Sequence, residues 1–172
     1  MCDDPNHFSV TLFSNASTDL YPSNTIARFT TELPRPIELV TSDRWEVGVC
    51  EFTYPPKNVG TFKPTLLVGD TTGLIYCVLI PPQYVGSVLV RCLRTFIYPD
   101  YYAKHIFENV YYMPVEKRTF KNIRIEILQM TGKPVPFKSS KTPSMVVFHF
   151  RRVSKKGGCA ALLIYKIASS SS

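Results

Sequence analysis

Apolar and polar residues alternate with a period of two through most of this chain, the spacing of a half-buried strand. Residues 44–56, RWEVGVCEFTYPP, carry the pattern most clearly. Strict alternation puts Trp45, Val47 and Val49 on one face and Glu46, Gly48, Cys50, Phe52 and Tyr54 on the other. The β-branched and aromatic content suits a pleated surface. The face with the chain's one tryptophan is expected to meet the core. A glycine inside a strand, here Gly48, marks a bulge or a close backbone approach. Pro55 and Pro56 end the run, because proline has no ladder donor.

Other segments repeat the motif. Residues 8–13 (FSVTLF) set Phe8, Val10 and Leu12 against Ser9, Thr11 and Phe13. Residues 25–33 place Ala27, Phe29 and Thr31 opposite Ile26 and Arg28, and residues 37–40 form a short bridging strand beyond a corner at Pro34 and Pro36. A weaker strand is expected at 58–68, and a continuous apolar run at 74–80 (LIYCVLI) fits a strand buried on both faces or at a subunit contact. In residues 120–130, Ile123, Ile125 and Ile127 face the core while Arg124 and Glu126 face out. Residues 144–153 form a further strand, residues 110–113 a short one, and 159–168 (CAALLIYKIA) a strand or a helix. Residues 83–96 depart from the period. Val85, Val88, Leu89, Cys92, Leu93 and Phe96 recur at i, i+3 and i+4, which predicts the chain's one helix, with Pro82 in its first turn and Arg91 and Arg94 on its polar side.

Seven or eight strands with one helix predict an all-β fold: an antiparallel β-sandwich of the single jelly-roll type. The length suits a single domain over residues 1–172, with 1–6 and 169–172 as loose ends. The 14 prolines fall between apolar runs and act as strand punctuation. No apolar run is long enough to span a bilayer. An acidic start, MCDDPNHF, is unlike a secretory leader, so the expected location is the cytosol or nucleus. The five scattered cysteines contain no CxxC pair and fit buried, reduced thiols.

The net charge of +7 is unevenly spread. Acids outnumber bases eight to four up to Gly60, and bases outnumber acids sixteen to five after it. An acidic partner or an anionic surface beside the second half follows from that split. Lys117, Arg118 and Lys121 enter one strand, and Arg151, Arg152, Lys155 and Lys156 close another. They are the candidate contacts for nucleic acid or another acidic partner, with the tyrosines as stacking faces. The bland alternative is a set of solvated strand ends. A third is contact with the acidic half of a neighbouring subunit.

Candidate catalytic groups are sparse. There is no glycine-rich phosphate loop, no GxSxG and no metal-ligand spacing among His7, His105 and His149, so neither enzyme chemistry nor a cofactor or metal is expected. His149, between Phe148 and Phe150, reads as a solvent-facing or hydrogen-bonded structural residue. Glu46 and Glu51 fall on opposite faces of one strand under strict alternation.

Two blocks, FSVTLFSNASTDLYPSNTIARFTTELPRPIEL with RWEVGVCEFTYPP, and FKNIRIEILQMTGKPVPFKSSKTPSMVVFHFRR, resemble the minor capsid (penton) proteins of Polinton/Maverick elements and the related adintoviruses. They cover about half of the chain in the family's order. The segment between residues 97 and 119 is shorter than the family pattern, and the tail after Arg152 lies outside it. The resemblance implies a single jelly roll forming homopentamers at the vertices of an icosahedral capsid. It also implies a double jelly-roll major capsid protein as partner, a place in the virion, and no enzymatic activity.

Overall fold

The computed structural model describes residues 6–40, 42–55, 72–85, 88–97, 103–137 and 141–153. Its strands are β1 (His7–Phe13), β2 (Arg28–Glu38), β3 (Arg44–Tyr54), β4 (Thr72–Cys77), β5 (Gln83–Val85), β6 (Val88–Val90), β7 (Cys92–Ile97), β8 (Ala103–Ile106), β9 (Met113–Pro114), β10 (Thr119–Gln129) and β11 (Met145–Val153). One sheet runs β1-β11-β3-β8, with β9 also paired to β3. The second runs β2-β10-β4-β7, and β5-β6 is a separate hairpin. All pairings are antiparallel.

The two sheets share one core. Val47, Val49, Phe52, Phe148 and Phe150 come from the first sheet, and Phe29, Ile75, Ile123, Ile125 and Ile127 from the second. Rings meet across the interface: Phe120 stacks on Phe150 at 5.8 Å, and Phe52 meets Phe96 edge-on at 4.8 Å. The alternation read from residues 8–13 and 120–127 holds, with Leu12, Ile123, Ile125 and Ile127 fully buried. Of the run at 74–80, residues 74–77 belong to β4, which lies between β10 and β7; Leu74, Ile75 and Cys77 are buried there, and Leu79 and Ile80 are buried in the turn beyond it.

Three expectations are corrected. The first concerns β3. Its register against β11 shifts between Val147 and Phe148, which pair with Glu51 and Val49. Cys50 is therefore the extra residue of a β-bulge, and the bulge reverses the parity of the strand. Phe52 and Tyr54 join Trp45, Val47 and Val49 in the core, while Glu46 and Glu51 share the outer face. Gly48 is not the bulge; it is the close approach. A Cβ there would strike Val110 Cγ1 and lie 2.7 Å from the Tyr111 carbonyl oxygen.

The second correction is the helix. Among the described residues none is helical, and 83–97 forms β5, β6 and β7. Val85, Val88 and Val90 are stiff at χ1 and favour strands. The second half of the helical spacing arises from a bulge: Ile75 pairs with Arg94 and Tyr76 with Cys92, so Leu93 is an extra residue on β7. Buried Cys92, Leu93 and Phe96 thereby imitate a 3.6-residue period.

The third is the corner at Pro34 and Pro36, which does not divide the chain into two strands. β2 continues to Glu38, and residues 33–36 bulge out where Asn122 pairs with Glu32 and Phe120 with Ile37. β2 is an edge strand, so the missing proline N–H groups cost no ladder bonds. The expected strand at 58–68, the segment 159–168 and both loose ends, apart from Asn6, lie outside the described residues.

Gly48→Ala should lower unfolding free energy by about 1–3 kcal/mol, the range for forcing atoms into a filled site. Urea denaturation of the variant beside the parent protein measures it.

Candidate functional site

The outer face of the first sheet carries a cluster that no local sequence pattern announces. His149 on β11 pairs with Gly48 on β3, and Arg151 pairs with Glu46. Because Gly48 has no side chain, residues 107–114 cross the sheet directly above it. The crossing is pinned at both ends: Phe107 N donates to Cys50 O at 2.8 Å, and Val115 N to Trp45 O at 2.8 Å. The carbonyl that takes the first bond belongs to the bulge residue.

Side chains complete the clamp. Tyr112 Oη lies 2.8 Å from His149 Nδ1, and Arg151 lies 3.6 Å over the Tyr112 ring. Arg151 donates from Nε and Nη2 to Glu46 Oε2 at 3.0 and 2.8 Å, while Arg44 reaches Glu46 Oε1 at 3.3 Å. A charge-assisted pair of this kind is stronger than a neutral hydrogen bond. The His7 ring lies 5.4 Å from that of His149. Further along, Arg94 sits over Phe107 at 4.3 Å and Tyr111 at 4.5 Å and donates to Asn109 O at 2.9 Å. Beneath the same segment, buried Tyr54 meets His105 Nε2 at 2.9 Å.

Burial sets the titration of these groups. It lowers the pKa of His105 from the usual 6.5. It also lowers that of His149, with His7 and Arg151 adding to the effect. Burial raises Cys50, pushes Cys92 up to about 11 and pushes Cys77 up to about 12, so these thiols stay protonated near neutral pH. Glu46 is paired with two guanidinium groups and His149 with a phenol, so the cluster ties the crossing segment to the sheet beneath it. Among the described residues, no three His, Cys, Asp or Glu side chains gather as a cation site requires, and no helix is long and apolar enough to cross a membrane.

The basic residues singled out from the sequence come together only in part. Lys117, Arg118 and Arg152 lie at the end of the sandwich where β3, β10 and β1 begin and β11 ends. Asp43 organises that end: Arg118 Nη1 donates to its carbonyl at 2.6 Å, and Arg152 Nη2 meets its carboxylate at 2.6 Å. Lys121 is paired with Glu32 on the surface of the second sheet, and Arg151 belongs to the outer-face cluster. Lys155 and Lys156 lie outside the described residues. Acidic residues of the first half thus meet basic residues of the second within the one chain. His149 matches its expected role as a hydrogen-bonded structural residue. The signal that could have located the cluster is Gly48 itself, a glycine facing outward in the middle of an otherwise bulky strand.

A scan against protein-family models and a search of curated proteins found no match for this chain.

The two histidines give the pH dependence its sign. Each has a folded pKa below its unfolded value of 6.5, so protons favour the unfolded chain. Their contribution to stability is whole above about pH 6.5 and falls as pH drops through the folded pKa values. His149→Gln should flatten that part of the curve, as read from denaturation midpoints between pH 7.5 and pH 5, about one unit either side of the histidine range.

Proposed function

We propose that this chain is a jelly-roll assembly protein, a penton-like vertex subunit that forms pentameric rings in an icosahedral shell. One observation carries the reading. Taking β1, β2, β3, β4, β7, β8, β10 and β11 in order, the first pairs with the last, the second with the seventh, the third with the sixth and the fourth with the fifth. That is one long hairpin of strand pairs rolled over on itself, so alternate pairs fall in opposite sheets. It supports the jelly-roll form, an architecture shared by capsid and lectin domains. The resemblance of residues 8–39, 44–56 and 120–152 to penton proteins joins function to the architecture.

The surface supports assembly as well. Ile97 on β7 and Ile106 on β8, the end strands of the two sheets, and Tyr111 in the crossing segment are each about two-thirds exposed. Copies of the subunit, or a double jelly-roll major capsid protein, would cover them. Light scattering and negative-stain imaging of the purified protein test this reading. Rings of five subunits are expected, and Ile106→Asp should shift them to smaller species. A strict monomer at high concentration, with no association with a major capsid protein, overturns it.

The cluster of Lys117, Arg118 and Arg152 favours a second role, contact with an anionic genome at one end of the sandwich. Asp43 offsets part of that charge. DNA affinity should therefore fall only shallowly with salt, with a slope reporting about one or two phosphate contacts. Lys117→Ala combined with Arg118→Ala should remove the slope in a filter-binding titration.

A further inference from the structure

At the end of the sandwich opposite Arg152, the loop after β1 and the loop before β11 enclose a cleft of about 750 Å³. That is more than twice the volume of the concavities beside Tyr76, Leu20 and Tyr111. It is within the range of small-ligand sites.

Its walls are held at a fixed separation. Ile127, on the buried strand between them, donates from its N–H to Ala27 O at 2.7 Å and accepts at its carbonyl from Val135 N at 3.0 Å. Ser144 ties the same two loops again. Its amide donates to Ser14 Oγ at 3.0 Å and its hydroxyl to Ile26 O at 2.6 Å. The first loop is also braced internally, since Asn24 exchanges two side-chain bonds of 2.9 Å with the backbone of Thr30. A cleft braced in this way is formed before any ligand arrives, and binding need not order it.

Three kinds of group line it. Asn15, Thr18 and Ser23 supply amide and hydroxyl groups. Pro134, Pro136 and Phe137 supply flat apolar faces on the facing wall. Arg28 and Lys141 supply positive charge, and no carboxylate is among the described lining residues. Arg28 is half-exposed and, among the described residues, its guanidinium has a 3.6 Å contact with Glu126, which leaves most of its donors available.

We propose that this cleft binds an acidic saccharide. Its sulfate or carboxylate group would be held by Arg28 and Lys141, and the C–H face of a sugar ring would lie on the Pro134–Phe137 wall. Alternating hydroxyl edges and apolar faces are the surface of a pyranose ring, and the two walls offer the complement of each. A nucleic-acid strand fits less well. It asks for a basic track with several stacking aromatics, and Phe137 is the one aromatic residue among the described lining.

Calorimetric titration separates the possibilities, using a heparin-derived hexasaccharide for sulfate, 3′-sialyllactose for carboxylate, maltohexaose as a neutral sugar and an oligo-thymidylate strand. At least one acidic saccharide should bind, and the neutral sugar and the oligonucleotide should bind more weakly. Lys141→Glu, at an exposed position, should weaken binding by about tenfold or more, as loss of a charge-assisted contact does. Ser23→Trp should block the cleft sterically, and Lys117→Ala, at the far end, should change affinity by less than about twofold. Circular dichroism of each variant confirms that it is folded. Failure of both acidic saccharides to bind, equal binding of maltohexaose, preference for the oligonucleotide, or indifference to Lys141→Glu and Ser23→Trp would overturn the proposal.

Discussion

A strand at the centre of a sandwich must show the core an unbroken apolar face, and β3 meets that demand only by inserting one residue. Without the bulge at Cys50, Phe52 and Tyr54 would point to solvent and the charged Glu51 would point inward, because a one-residue change of parity exchanges the two faces. Much of the remaining structure depends on that choice. Tyr54 packs on Phe52, Phe96 and Phe137, which come from both sheets and the loop before β11. Glu51 is released to pair with Lys104 at 2.9 Å, which helps to hold β8. The Cys50 carbonyl, turned out of the regular ladder, accepts from Phe107 and starts the crossing of the outer face.

Electrostatics follows the same geometry. The acidic first half and basic second half of the chain suggest a molecule divided by charge, but antiparallel pairing interleaves them. Lys121 meets Glu32, Arg151 meets Glu46, Arg152 meets Asp43 and Arg28 faces Glu126. The more exposed of them, Lys121 with Glu32 and Arg28 with Glu126, contribute little to stability. They reduce the cationic field that a count along the sequence implies. The surplus charge of the whole chain is real, but among the described residues it is spread over the surface and forms no continuous stripe.

The legible parts of the fold were those set by local periodicity. Phe8, Val10 and Leu12, then Ile123, Ile125 and Ile127, announce their faces without help from the rest of the chain. The bulges at Cys50 and Leu93 were not legible, because a bulge changes parity without changing composition. The misplaced Phe52 and the helix-like spacing of Cys92, Leu93 and Phe96 have this one cause. The outer-face cluster was hidden for a different reason. Glu46, Tyr112, His149 and Arg151 are far apart in sequence and meet only through register. The cleft lined by residues of the loops after β1 and before β11 depends on the long-range backbone bond from Ile127 to Ala27 and on contacts of Ser144 with Ser14 and Ile26, and could not be read from either loop alone.

The excursion at residues 33–36 bears on what the molecule can build. A sheet margin with a continuous row of free amides and carbonyls invites strand addition by another chain, and repeated addition templates an open filament. Pro34 and Pro36, exposed and lacking N–H groups, interrupt that row on β2. A neighbour approaching residues 33–36 meets side chains in place of a regular backbone ladder, and a side-chain fit depends on angle and shape. Contacts of that kind can close into a finite object, whereas an uninterrupted backbone ladder would let it grow without limit.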